Sequence, residues 1–533
     1  MRLLRNSFLA TLALVTAAAC ADMDVDNPNA PGRDQVGGSA ADLEALIAGA
    51  MQQVVLTHTE VDGPAPMLST MSFQHSAYPA NFGMVYYSAI PRRAFNNDVA
   101  REFYNQVANA WTWSYRGAAG VANALHAFQT TDMSLGDDEP RARAWGNFML
   151  GMTHGSIALL FDQGPVVNQA TPRDDNDLPA PDGTLDYNAL MAVALAHFDS
   201  AIAIASANTF TVPEAWAMSG VTNTQLVGIA HAVKAQFRAM NARTWEERQA
   251  VNWNAVLADL DNATEWNLAW NWPTWTNWAF VYSTFAGWGQ ENLFIMGMAD
   301  QSGNYQEWLS RPVLERTPQA ADGRDLLIVT PDLRFPRGNT LAEQQAAANR
   351  GTHIWAAANP GDQWARPDRG SWRWSHYQWR RYGAGTPNAG YGDLGPLPFV
   401  SNDHLRLLEA EAHFHLGDRA QAAALINVTR TAAGLNATDA AGTNTSCVPK
   451  LPDGSCGGLF EMLKWEKRLM TKFEGPYTAP WYFDGRGWGD LYRGTPLHFP
   501  MPAREASLEG VAPYTFGGAL PGSAPQSVYA WPE

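Results

Sequence analysis

Positive charge is scarce in this 533-residue chain: 36 Lys and Arg stand against 52 Asp and Glu, a formal net charge of -16. Nucleic-acid phosphates are neutralised by Lys and Arg, and with no basic stripe in view a nucleic-acid partner is excluded. Cysteine is nearly absent. Of the three present, Cys20 ends an apolar leader, while Cys447 and Cys456 bracket a short polar loop. In an oxidising compartment those two could close a small disulfide; two free loop thiols are the alternative. Enzyme signatures are missing as well. There is no HExxH, no GxxxxGK[ST] and no GxSxG, which removes the commonest zinc-hydrolase, nucleotide-binding and serine-hydrolase readings. Gly485-Arg486-Gly487-Trp488-Gly489 lacks the strand-turn-helix setting of a dinucleotide site, and His413 and His415, two apart on a helix, diverge too far to share a metal. No cofactor or metal is expected.

Aromatic residues are abundant at 11%, with 22 Trp, and charged residues make up only 17%, so the chain is folded rather than disordered. Residues 1–19 carry Arg2 and Arg5 and then an apolar run from Phe8 to Ala19, about 12 residues where a bilayer core needs roughly 20. That pattern predicts a signal peptide. Ala17-Ala18-Ala19-Cys20 resembles a bacterial lipobox, which makes Cys20 the expected lipidation site. Residues 20–41, with Asp22, Asp24 and Asp26, read as an acidic tether; a calcium loop beginning there would need a glutamate where Arg33 stands.

From residue 42 to 533 a single domain is expected. Apolar positions recur at three- and four-residue steps over Asp42–Val55, Phe103–Phe128, Arg141–Phe161, Tyr187–Ala205, Gln225–Arg243 and Trp253–Ala263. In Gln225–Arg243 one face holds Leu226, Ile229, Ala230, Val233, Phe237 and Met240. His404 to Leu435 reads as a helical hairpin, broken at Gly417-Asp418 and ended by Gly434, and its small residues allow the close packing of tetratricopeptide units. A last helix is expected over Leu459–Phe473, and a loop-rich stretch from Glu474 to the end. With no convincing run of strand alternation, the fold class is all-α: tetratricopeptide-like hairpins with long irregular loop insertions. The main insertion, about 266–402, is rich in Pro, Gly, Asn and Trp, and a segment of that kind is usually functional surface.

Trp253, Trp266, Trp270, Trp272, Trp275, Trp278 and Trp288 crowd into 36 residues, and Trp355, Trp364, Trp372, Trp374 and Trp379 form a second group. A flat indole with one N–H donor suits stacking on a sugar ring, and it equally suits plugging a segment that has no core of its own. The candidate ligand-binding residues are Trp270, Trp272, Trp275, Trp278 and Trp288, joined by Tyr78 and Trp372. Asp259, Asp261, Glu265 and Glu291 flank the first cluster. Two such carboxylates facing each other across a groove would be the machinery of a glycosidase.

Several motifs point one way. Leu407-Leu408-Glu409-Ala410-Glu411-Ala412, Leu416-Gly417-Asp418 and Ile426-Asn427-Val428-Thr429-Arg430, followed by Glu466-Lys467-Arg468, Phe473-Glu474-Gly475, Gly487-Trp488-Gly489-Asp490-Leu491-Tyr492-Arg493 and Pro500-Met501-Pro502, resemble in content and order the SusD/RagB family of outer-membrane nutrient-binding lipoproteins. Asp24-Val25-Asp26-Asn27-Pro28 is similar to that family's segment after the lipid cysteine. The chain departs from the pattern where Pro476 to Arg486 separates two motifs that are usually adjacent. The resemblance implies a SusD-like α-helical lipoprotein, surface-exposed at the outer membrane. It would capture a glycan or other oligomeric nutrient for a TonB-dependent, SusC-like β-barrel transporter, without catalysis. It also implies that the motif residues are scaffold. A helical-scaffold glycoside hydrolase and a tetratricopeptide adaptor that binds only proteins are the alternatives.

Overall fold

The computed structural model describes residues 38–77, 83–90, 92, 95–170, 183–270, 275–284, 289–312, 315–356, 375–382 and 396–514. The expected signal peptide, Cys20 and nearly all of the expected tether lie outside these residues.

Ten longer helices build the scaffold, and most begin at a side chain that satisfies otherwise orphaned amides. They are α1 (Ala40–Thr59), α2 (Asn105–Thr130), α3 (Glu139–Leu160), α4 (Tyr187–Ala207), α5 (Asn223–Met240), α6 (Trp253–Leu260), α7 (Asn402–His415), α8 (Arg419–Ala432), α9 (Leu459–Thr471) and α10 (Pro480–Trp488). Ser39 caps α1, Asp186 caps α4, Ser401 caps α7 and Asp418 caps α8. Thr222 and Gln225 form a reciprocal capping box on α5, and the whole apolar face read from its sequence is buried. Gly434 takes a φ of 76° after α8, and Leu435 N–H closes that end on Arg430 O at 3.1 Å.

Each helix from α2 to α9 packs on its predecessor among these ten, and α7 also meets α9. A hairpin stack of this kind shares its core between neighbours. Close approach is built into α3: a Cβ on Gly155 would stand 2.1 Å from the Phe237 ring of α5, and one on Gly151 would stand 2.7 Å from Phe198 of α4. Alanine at either position would force the stack apart.

The family-like motifs turn out to be the polar centre of this scaffold. Glu411 of α7 accepts from Arg248 and from Lys467 of α9, both at 2.8 Å, and from the Trp488 indole at 2.7 Å; Asp484 of α10 accepts from the same two cations at 2.9 Å. All five side chains are buried. Desolvation is offset here only because every charge has partners. Arg334 bridges Asp332 and Glu466 in the same manner, and Asp490 holds Lys464 and Arg468.

One expectation needs correction. Leu459–Thr471 is not the last helix: within the loop-rich stretch after Glu474, Pro480–Trp488 is a helix, α10, buried along its whole length. Its Arg486 donates to Leu159 O, Leu497 O and Met240 O, so one guanidinium caps the carbonyl ends of α3 and α5, where a positive charge is favoured. The insertion carries only short regular elements. Strands Trp266–Ala269 and Pro396–Val400 pair antiparallel and bring its two ends together, and short helices at Trp278–Thr284, Leu293–Met296, Asn304–Ser310 and Leu341–Gln345 lie between them. Cys447 and Cys456 are joined by a disulfide.

Candidate functional site

The alternation of strand Trp266–Ala269 decides where the first tryptophans go. Trp266 and Leu268 point inward while Asn267 and Ala269 point outward, so Trp266 lies against Phe148 and Phe399, with centroids 5.5 and 5.1 Å away. Trp270, one of the chosen ligand contacts, follows it into the core and is only 6% exposed. That corrects its assignment: Trp270 is packing, not an open platform.

Trp266, Trp270, His58, Asn277, Phe399 and Phe473 surround a cavity of about 20 Å³. The N–H groups of both indoles and Nδ2 of Asn277 have no protein partner there. The space admits roughly one water, which would satisfy such donors, and it is far too small for a sugar ring. Trp275 and Trp278 are half-buried, and Trp275 rests on the hydrophobic core. Tyr78, Trp272, Trp288 and Trp372 lie outside the described residues. Of the remaining clustered tryptophans, Trp253 and Trp379 are buried, and Trp253 stacks on His415 at 4.7 Å.

The carboxylates do not form a facing pair of free groups. Asp259 accepts from His231 and Arg238 and lies 3.1 Å from Lys234, and Glu291 is fully buried against Lys472. Burial raises the Glu291 carboxyl above its ordinary value despite that cation. Asp261 and Glu265 are exposed. A buried Ser-His contact, invisible in the sequence, also has the wrong polarity for nucleophile activation. Tyr477 N–H donates to His58 Nδ1 at 2.7 Å, which leaves the ring proton on Nε2, facing Ser156 Oγ at 3.0 Å, and that hydroxyl donates onward to Met152 O. A general base must accept the hydroxyl proton instead.

One indole of the second group stands differently. Trp355 lies in the strand Ile354–Ala356, paired antiparallel with Tyr377–Trp379, and the pleat that buries Ile354 leaves Trp355 half-exposed. Its N–H donates to Gly351 O at 3.1 Å, and the guanidinium carbons of Arg350 and Arg380 lie 4.5 and 5.8 Å from the ring centroid. Sequence reasoning placed Trp355 in a cluster but could not single it out, because Arg380 reaches it only through strand pairing. A larger concavity of about 630 Å³ lies elsewhere, bounded by Asn97, Val99, Arg504, Leu508 and Tyr514, and no tryptophan lines it.

No family model matches this chain, and no curated protein matches it either. Solved structures do. A SusD superfamily protein from Bacteroides thetaiotaomicron superposes with a TM-score of 0.52 at 11% identity, covering 89% of this chain and 97% of its own. A SusD superfamily protein from Bacteroides vulgatus gives 0.50 at 14% identity, covering 89% and 98%. A candidate sugar binding protein, also from Bacteroides vulgatus, gives 0.50 at 10% identity, covering 89% and 97%. The chain therefore has the SusD-type fold over nearly the whole length of those proteins.

Proposed function

We propose that this SusD-fold chain is a non-catalytic glycan-binding lipoprotein, anchored at the outer-membrane surface through Cys20, that delivers its ligand to a TonB-dependent, SusC-like β-barrel transporter. The observation that carries the reading is the fold itself: a helical stack matched over 89% of the chain to two SusD superfamily structures and, equally, to a candidate sugar binding protein. The lipobox-like Cys20 and the acidic stretch behind it support the location. Binding without hydrolysis agrees with Asp259 and Glu291 being held in ion pairs inside the protein.

Burial of Trp253, Trp266, Trp270 and Trp379 favours one competing reading, a tetratricopeptide adaptor whose indoles serve only as core. Affinity electrophoresis of the purified protein through gels containing a panel of neutral and acidic polysaccharides separates the two. Retardation by at least one polysaccharide, with no reducing ends released, is expected. Migration unchanged by every polysaccharide, together with capture of a soluble protein partner, would overturn the glycan reading. Fractionation of cells carrying Cys20→Ala tests the anchor, and the variant should leave the membrane fraction.

A further inference from the structure

In a chain with sixteen more acidic than basic residues, several arginines near the surface are matched by a carboxylate. Arg141 has Glu44, Arg143 has Glu139, Arg311 has Glu307, and Arg381, next in sequence to Arg380, has Asp403 at 2.7 Å. Arg101, Arg419 and Arg504 have none among the described residues, and the two arginines at Trp355 differ from these in sharing one half-exposed ring. Among the described residues no carboxylate pairs with Arg350 or with Arg380, whose only side-chain hydrogen bond is to Gln378 Oε1 at 2.6 Å. Arg337 is a third cation tied to the same segment: its N–H donates to Asn349 O and its guanidinium to Ala348 O, at 2.7 and 2.6 Å, which fixes it against the backbone just before Arg350. Glu343, which bonds the same segment through its backbone oxygen, turns its carboxylate back to the amides of Asn339 and Thr340. Burial alone pulls Arg380 below its usual pKa, with no anion to oppose the shift.

Gathering like charges costs free energy unless something of opposite sign offsets it. The Trp355 ring holds the two guanidiniums close enough that one bound anion feels both, since salt screens charges only beyond about 8–10 Å. With the indole N–H already committed to Gly351, polar recognition at this spot falls to the arginines. A guanidinium presents a planar fork of donors that matches a carboxylate in two parallel hydrogen bonds.

We propose that Arg350, Trp355 and Arg380 form a subsite for an acidic sugar, with the carboxylate of a uronate unit held between the guanidiniums and Arg337 at its rim. This rests on the glycan-binding reading and narrows it from glycans in general to uronate-bearing oligosaccharides.

Isothermal titration of the full chain with tetragalacturonate, with its fully methyl-esterified form and with tetraglutamate tests the assignment. The acid should bind at least tenfold more tightly than the ester or the peptide, its affinity should fall steeply between 50 and 500 mM salt on the order expected for two or three ionic contacts, and Arg350→Gln/Arg380→Gln should abolish the preference while leaving the melting temperature unchanged. Equal binding of acid and ester, unaffected by the double substitution, would overturn this subsite and leave the glycan reading standing. Equal binding of tetraglutamate would keep the anion site but overturn its assignment to sugars. Binding of none of the three would overturn the subsite, and the neutral polysaccharides of the electrophoretic panel would then decide the wider reading.

Discussion

The buried ion cluster of the helical scaffold and the ring of Trp355 in the insertion treat charge in opposite ways. In the scaffold, Arg248, Glu411, Lys467 and Asp484 are buried together and every one of them is paired. At the half-exposed Trp355 of the insertion, Arg350 and Arg380 share an indole and have no acid partner among the described residues. Buried charges must be matched within the chain, since nothing else can reach them. Surface charges left unmatched are available to something outside it. The contrast teaches that the family-like motifs and the ligand site obey different constraints, which is why motif residues locate the fold and not the ligand.

Acid should separate the two regions most strongly. Burial lowers His58 to about 3 and His154 and His415 to about 4, and all three lie on scaffold helices. A histidine whose pKa is depressed by folding binds its proton preferentially in the unfolded chain. Its contribution to stability is therefore complete above the unfolded pKa of about 6.5 and is lost as the pH falls toward the folded value. By pH 5 each of these groups should have cost about 2 kcal/mol, so the urea midpoint should drop sharply between pH 7 and pH 5. Arginine does not titrate in that range, so uronate binding by the protein that remains folded should be nearly constant over the same interval. Equal stability at pH 7 and pH 5 would show that the buried imidazoles are not neutral as described.

Glu411→Ala comes next in size. It strips Arg248, Lys467 and Trp488 of a shared acceptor and leaves two buried cations with Asp484 alone. A loss of about 3–5 kcal/mol is expected, read from the shift in urea midpoint, because an uncompensated buried charge costs far more than the pair contributes. Glu411→Gln, which keeps the volume, should recover part of it. If Glu411→Ala were tolerated within 1 kcal/mol, the ion cluster would not be the joint that ties α7, α9 and α10 together.

Much of the scaffold was legible in the sequence. Helices such as α2 and α8 bury one face and wet the other, and an apolar stripe of that kind leaves a 3.6-residue period. Helix α10 was missed for the opposite reason: buried all round, and built from Pro480, Trp481, Tyr482, Phe483, Gly485 and Gly487, it has no polar face to set a period. The short helices of the insertion, four to seven residues long, span too few turns for periodicity to register. Within the site the limit was different. An indole reads identically in sequence whether it plugs a core, as Trp270 does, or stands at a surface, as Trp355 does. Only the pleat of a strand and the arrival of Arg380 from 25 residues further along the chain distinguish them.

That last distinction yields the smallest expected effect on stability and the sharpest test of the comparison. Trp270→Ala removes a core side chain and should cost about 3–5 kcal/mol, whatever the ligand. Arg350→Gln removes an exposed charge that has no ionic partner to strand, so its effect on unfolding should stay within about 0.5 kcal/mol. Binding should rank the two in reverse, with Arg350→Gln weakening tetragalacturonate while folded Trp270→Ala retains it. The denaturation curve and the binding isotherm of each variant check both halves of the statement. If Arg350→Gln destabilised the fold as much as Trp270→Ala, the arginine would belong to the scaffold's internal charge balance, and the division between matched interior and unmatched surface would fail at the place where it matters for the ligand.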